Sequence, residues 1–132
     1  MIRRVIDKLA WICLDDRRVL CARSHGQEVY YLPGGKREAG ESDEQALLRE
    51  VSEELSVALD PRTIRPLGVF EAPAHGKPGV LVRMTCYTAE MIGEPKASAE
   101  IAELAWLTYA DRQRLSLVGQ IIFDALHGKG ML

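Results

Sequence analysis

No apolar run in this 132-residue chain approaches the ~20 residues that a membrane-spanning helix requires. The first ten residues, MIRRVIDKLA, meet Asp7 and Lys8 before an apolar stretch of the signal-peptide kind develops. Positive charge is also in short supply. At a net charge of −2 there is no basic field to recruit a nucleic-acid polymer, and the lysines and arginines are too dispersed to grip a membrane surface. A small anionic ligand needs only a local cation or a metal, so it stays allowed. Cysteine is scarce and odd in number: Cys13, Cys21 and Cys86, with no CxxC spacing. With His25, His75 and His127 scattered along the chain, this argues against a zinc site. All three cysteines fall in apparent strands, so buried, reduced thiols in a cytoplasmic protein are expected. Repeats, linkers and low-complexity segments are absent as well. The 47% apolar and 27% charged fractions are those of an ordinary globular protein, and residues 1–132 read as one domain.

Val5 to Leu14 reads as a strand, Asp15-Asp16 as a turn, and Arg17 to Ala22 as the hairpin partner. Glu28 to Leu32 is a short strand leading into Pro33-Gly34-Gly35. After a central helix, Asp60-Pro61 marks a break and Ile64 to Glu71 a strand. Ala72 to Gly79, with two prolines and two glycines, is a loop. Val80 to Glu90 is a long strand, Met91 to Ala99 a loop, and Ala102 to Tyr109 a strand ending near Thr108. Asp111 can cap a short turn. Leu117 to His127 has helical spacing, with Gly128 as its stop. Strands in hairpins with two helices give an α+β class, a mixed sheet covered by helices.

Residues 32–57, LPGGKREAGESDEQALLREVSEELSV, organise the rest. Ser42 and Gln45 form a capping-box signal, and no Gly or Pro interrupts the chain from there to about Leu55. At about 100° per residue, Glu50, Glu53 and Glu54 share roughly a third of the helix circumference, beside an apolar stripe of Leu47, Leu48, Val51 and Leu55. Like charges at this spacing cost about 0.2–0.5 kcal/mol per pair, and the C-terminal half of a helix disfavours anions. The plain reading is a solvated acidic face. A hard divalent cation that collects carboxylate oxygens would instead cancel the repulsion.

The stretch resembles the Nudix box. That pattern runs Gly, five residues, Glu, seven residues, Arg-Glu, an aliphatic residue, any residue, Glu-Glu, any residue, Gly and an aliphatic residue. Gly35, Glu41, Arg49, Glu50, Val51, Glu53, Glu54 and Val57 match it, and Ser56 stands where the family has glycine. That glycine commonly takes the left-handed conformation that ends a helix. Serine there costs on the order of 1 kcal/mol, or the helix exits differently.

The resemblance implies a Nudix-type α/β/α sandwich with a mixed β-sheet. It also implies metal-dependent hydrolysis of a phosphoanhydride (pyrophosphate) bond in a nucleoside diphosphate linked to another moiety. Glu50, Glu53 and Glu54 would hold Mg²⁺ or Mn²⁺, with Glu53 and Glu54 the core ligands and Glu100, preferred over Glu103, a further one from outside the box. Glu53 and Glu50 would serve catalysis, Arg49 would hold a carboxylate in its ligating rotamer, and Glu41 would order the loop or complete the metal shell. Gly35 lets the loop pass beside the helix. Lys36, Arg37, Arg23 and Arg83 are the cations that could meet phosphate; loop and sheet-face cations are also ordinarily solvated or paired. Tyr30 and Tyr31 could stack a base, but strand alternation sends them to opposite faces, and Trp106 reads as core.

A nucleoside triphosphate or modified nucleotide suits the small chain. Nucleotide-sugar, ADP-ribose and dinucleoside polyphosphate cleavage are alternatives; Pro73, at an interval seen in ADP-ribose-cleaving members, is a light clue among several prolines. No asparagine precedes the last helix, where some members read guanine. A nucleotide-sensing domain without turnover is the reading from another class, but such proteins usually lose box carboxylates or carry a DNA-binding domain. Homodimers are common in the family, although no interface is evident in the sequence.

Overall fold

The computed structural model describes residues 1–98 and 100–132. Besides two short 3-10 helices (Pro61–Thr63 and Tyr109–Arg114), the elements in chain order are β1 (Arg4–Trp11), β2 (Leu14–Asp15), β3 (Arg18–Ser24), β4 (Gly34–Gly35), α1 (Asp43–Leu55), β5 (Ala58–Leu59), β6 (Arg65–Pro73), β7 (Val80–Thr88), β8 (Met91–Ile92), β9 (Ile101–Leu107) and α2 (Leu117–Gly128). The main sheet runs β4-β1-β7-β6, with β1 parallel to β7 and both outer pairs antiparallel. A second sheet runs β2-β3-β9, and β5 pairs with β8. This is the expected α/β/α sandwich with a mixed sheet.

Alternation along β1 builds the layers. Leu9 and Trp11 point to the side of α1, where they pack with Leu47, Val51 and Leu55. Ala10 and Ile12 point the other way, into a core with Met84, Cys86, Ile122 and Phe123 on the side of α2. The two faces of the central strand thus belong to two cores, and every side chain from Leu9 to Cys13 is buried. Trp11 satisfies its indole N–H by donating to the Ala89 carbonyl at 3.0 Å. Among the described residues no helix is long and apolar enough to cross a membrane.

Several boundaries differ from the sequence reading, each for a local reason. The strand expected over 5–14 is cut at Ile12–Cys13, because β1 stays in register with β7 as far as Trp11 while the chain then crosses to the second sheet. The hairpin is therefore β2–β3, closed by a two-residue turn in which Asp16 (φ 51°) and Arg17 (φ 58°) are both left-handed. Cys13 consequently lies in a connection and not in a strand; Cys21 and Cys86 are in β3 and β7. Glu28 to Leu32 forms only isolated bridges, since Tyr31 pairs with Ala22 while Tyr30 pairs with Leu115. The 64–71 strand extends to Pro73, which an edge strand tolerates, and that shortens the 72–79 loop. Met91 and Ile92, read as loop, pair with Ala58 and Leu59; Ala99, the end of that predicted loop, lies outside the described residues. Gly128 closes the last turn of α2 instead of following it.

Candidate active site

The loop before α1 is held by two consecutive glycines with different duties. Gly34 pairs with Ala10 of β1 at φ +149°, and a Cβ there would fall 2.0 Å from the Leu9 carbonyl oxygen. Only glycine lets the two backbones approach this closely. A Cβ on Gly35 would strike a side chain first, the Glu50 carboxyl, at 2.4 Å from Cδ. The loop backbone is thus a cradle for the Glu50 side chain. The Gly34 N–H donates to Glu54 Oε1 at 2.8 Å, so both carboxylates are seated against this turn.

α1 begins as expected, with Ser42 accepting from the Gln45 N–H and Gln45 accepting from the Ser42 N–H. It ends at Ser56, which adopts φ 53° and ψ 36°. Serine therefore keeps the left-handed exit of the family's glycine at the cost of about 1 kcal/mol.

Arg49 ties the loop to the helix. Its Nε and Nη2 donate to the two Glu41 oxygens at 2.6 and 2.8 Å, its Nη1 donates to Glu50 Oε1 at 3.0 Å, and Nη2 also reaches the Lys36 carbonyl at 3.0 Å. Glu53 lies farther from Nη1, at 3.4 Å to each oxygen, and its side chain is 59% exposed against 18% for Glu50. The fork–fork pairing with Arg49, with the Glu38 N–H as a second donor, lowers the Glu41 pKa to about 2. Glu54 goes the other way. Burial pushes it up to about 7 against the Gly34 N–H, with the charges of Glu50 and Glu100 adding to the rise and that of Lys8 opposing it.

Among the described residues no three acidic, histidine or cysteine side chains converge into a ready-made ion cage. The donor chemistry nevertheless fits a hard divalent cation. Every donor on this helix face is a carboxylate, one is seated in a glycine cradle, and another is held where its negative charge is costly until a cation relieves it.

Gly35, Glu41, Arg49, Glu50, Glu53 and Glu54 are therefore gathered at one place. Glu100 is exposed in a turn near enough for its charge to act on Glu54. Glu103 hydrogen-bonds the Tyr30 hydroxyl instead. Lys36 is exposed beside the cluster. Arg37 is occupied by Asp43 (2.5 Å) and Asp7 (3.2 Å). Arg23 donates to the Gln27 carbonyl at 2.9 Å and stands 3.9 Å from Glu103. Arg83 is not brought to the cluster: alternation along β7 sends it to the face opposite Val82 and Met84, where it pairs with Glu71 at 2.6 Å. Tyr30 is buried, and Trp106 packs with the α1-side core under the Arg18 guanidinium.

A cavity of about 490 Å³ opens beside this cluster on the α2 side of the sheet, walled by Lys8, Tyr31, Val82, Met84 and Leu117, with Glu54 and Gly34 also in its lining. Such a volume and mixed lining suit a small ligand. A second hollow of about 770 Å³, which includes Cys13, Arg62, Glu90 and Trp106, shares no residue with the acid cluster. Sequence reasoning missed Lys8 and Leu117. The one available signal was a lysine in the alternating series Ile6, Lys8, Ala10, Ile12, whose other members are apolar.

The family model described as "NUDIX domain" matches residues 6–120. Among solved structures, the chain is similar to a MutT NUDIX hydrolase from Burkholderia pseudomallei (26% identity, 92% of this chain and 98% of that one, TM-score 0.77). It is similar also to a MutT protein from Bacillus halodurans (27%, 92% and 82%, TM-score 0.71). A MutT protein from Methanosarcina mazei Go1 shares the fold at 16% identity, over 100% of this chain and 99% of that one, with a TM-score of 0.74. No curated protein matches the chain.

Proposed function

The chain belongs to the NUDIX domain family and is a Nudix-type pyrophosphohydrolase, and from that premise we propose that its substrate is a nucleoside triphosphate or modified nucleotide cleaved with the help of a divalent metal. The observation that carries this reading is the position of Glu54, which belongs both to the acidic face of α1 and to the lining of the cavity. A nucleoside in the cavity would therefore extend its phosphates over the carboxylates. The cavity volume accommodates one nucleoside, which favours a compact substrate over a dinucleotide.

In this reading Glu50, Glu53 and Glu54 hold magnesium or manganese, with Glu100 close enough to contribute. Such an ion, when bound to these carboxylates, would supply neutralisation of phosphate charge and stabilisation of the leaving group. Arg49 is a positioning residue: its grip on Glu41 and Glu50 holds the loop and the carboxylate in one arrangement before substrate arrives. To Glu53, the most water-exposed of the three, we assign the proton of the attacking water. Lys36, exposed beside the cluster, is assigned to the outer phosphates. Intact box carboxylates and Arg49 speak against a sensing domain without turnover.

The test is phosphate and pyrophosphate release from a panel of canonical and oxidised dNTPs, ADP-ribose, a nucleotide sugar and a diadenosine polyphosphate, each with Mg²⁺, Mn²⁺ or EDTA. Metal-dependent cleavage of the triphosphates over the others is expected. Preference for ADP-ribose or the dinucleotide would overturn the substrate assignment, and equal rates in EDTA would overturn the role of the metal.

A further inference from the structure

Lys8 is a cation in an apolar setting. It sits on the central strand β1 in register with Met84, and Ala10, Val82 and Met84 share its face of the sheet. A lysine half-buried against such a face loses hydration, and an apolar residue would serve a purely structural purpose better. Among the described residues Lys8 closes no ion pair. Lys8 instead lines the cavity, and its charge acts on Glu54.

Among the described residues no other lysine or arginine lines the cavity. Around it, Arg37, Arg49 and Arg83 are each engaged by carboxylates, and Arg23 by a backbone carbonyl. The Gly34 N–H is likewise taken, by Glu54. A ligand leading from the cavity to the acidic face of α1 must pass Glu54, whose negative charge opposes a phosphate. A cation at that junction would offset the repulsion.

We propose that Lys8 is a substrate-binding residue that holds the phosphate next to the nucleoside, where the cavity meets the acid cluster. The proposal rests on the reading that the nucleoside occupies the cavity, and adds the residue that selects a phosphorylated ligand there. It also assigns the nearest-phosphate contact to β1, not to the box loop or to Arg23 and Arg83.

The test compares wild type, Lys8→Met and Lys8→Arg, each first confirmed as folded by thermal unfolding. Binding of the four common ribonucleoside 5′-monophosphates and of the four matching nucleosides is measured calorimetrically in EDTA, which removes any metal contribution. Loss of a charge-assisted contact predicts that Lys8→Met weakens monophosphate binding about tenfold or more while nucleoside binding stays within about twofold, with Lys8→Arg restoring most of the loss. Equal weakening of nucleoside and monophosphate would make Lys8 part of the base-binding wall and overturn the proposal. Unchanged monophosphate binding in Lys8→Met would overturn it as well. If wild type binds none of the eight compounds, placement of the nucleoside in the cavity fails and the role of Lys8 fails with it. Hydrolysis in the metal panel would stand or fall separately.

Discussion

Replacing Gly35 by alanine should separate catalysis from folding. Its added Cβ would stand 2.4, 2.5 and 2.7 Å from the carboxyl atoms of Glu50, where ordinary contact begins near 3.4 Å. The carboxylate must therefore withdraw by about an ångström, and as the end of a flexible side chain it can. Gly35 is not among the residues with positive φ, so the backbone accepts alanine without strain. The cost is an off-rotamer Glu50, about 0.5–1.5 kcal/mol, and a weakened bond from Arg49, about 0–1 kcal/mol at this exposure. Against this stands a gain of about 0.4–1 kcal/mol from a stiffer unfolded chain. The net loss is at most about 2 kcal/mol, a fall of at most about 7 °C in Tm for a chain of this length.

Activity should respond far more. A carboxylate displaced from its seat is expected to lower kcat/KM by about 10–100-fold, the usual effect of disturbing a ligand's support. Gly34→Ala is the control, since its Cβ would meet the Leu9 carbonyl oxygen at 2.0 Å at φ +149°, and no side-chain movement relieves that contact. It should cost well over the loss at Gly35 and prevent stable folding. The assay pairs thermal unfolding with turnover of the best substrate of the panel. A Gly35→Ala protein with wild-type kcat/KM would refute the cradle as a feature of catalysis; a folded Gly34→Ala beside an unfolded Gly35→Ala would refute the division of labour between the two glycines.

Other substitutions test other parts of the molecule. Glu53→Gln and Glu54→Gln should each lower kcat by about 10²-fold or more with the fold intact; near-wild-type turnover in either would remove that residue from the mechanism. Ser56→Gly should raise stability by about 1 kcal/mol, read as a higher denaturation midpoint, by releasing the left-handed serine. Asp124 accepts from Arg112 at 2.6 and 2.9 Å and from the Tyr109 hydroxyl at 2.8 Å, which lowers its pKa to about 2. A depressed carboxylate stabilises the fold above its unfolded pKa near 4 and loses that contribution as pH falls toward 2. Asp124→Asn should therefore lower Tm at pH 7 and converge with wild type near pH 2; a pH-independent difference would show that packing, not charge, ties α2 down.

How much of this was legible follows from how the parts are assembled. The acid cluster sits within one continuous stretch, from Gly35 to Glu54, and helical spacing alone carries three carboxylates to one face. The cap at Ser42 and the exit at Ser56 are local as well, and the structure has both. The strand boundaries were less accessible, because they depend on which neighbour a segment meets. Trp11 is the last residue of β1 since Tyr87 is its last partner, and Pro73 joins β6 since that strand lies at an edge.

The cavity lies at the far end of this scale, and that is why the acid cluster was readable where the cavity lining was not. Its walls come from β1, the segment around Tyr31, β7 and the start of α2, which are more than a hundred residues apart at the extremes. No spacing rule links Lys8 to Leu117. Arg23 and Arg83 drew notice as cations on strands, yet pairing and alternation decide which cations are available, and both are tertiary facts. Arg83 faces Glu71 across the β6–β7 ladder, whereas Lys8, one of the least conspicuous charges in the sequence, shares its face with Val82 and Met84. An available cation is one that the fold leaves unpaired, so it is found only once every nearby partner has been placed.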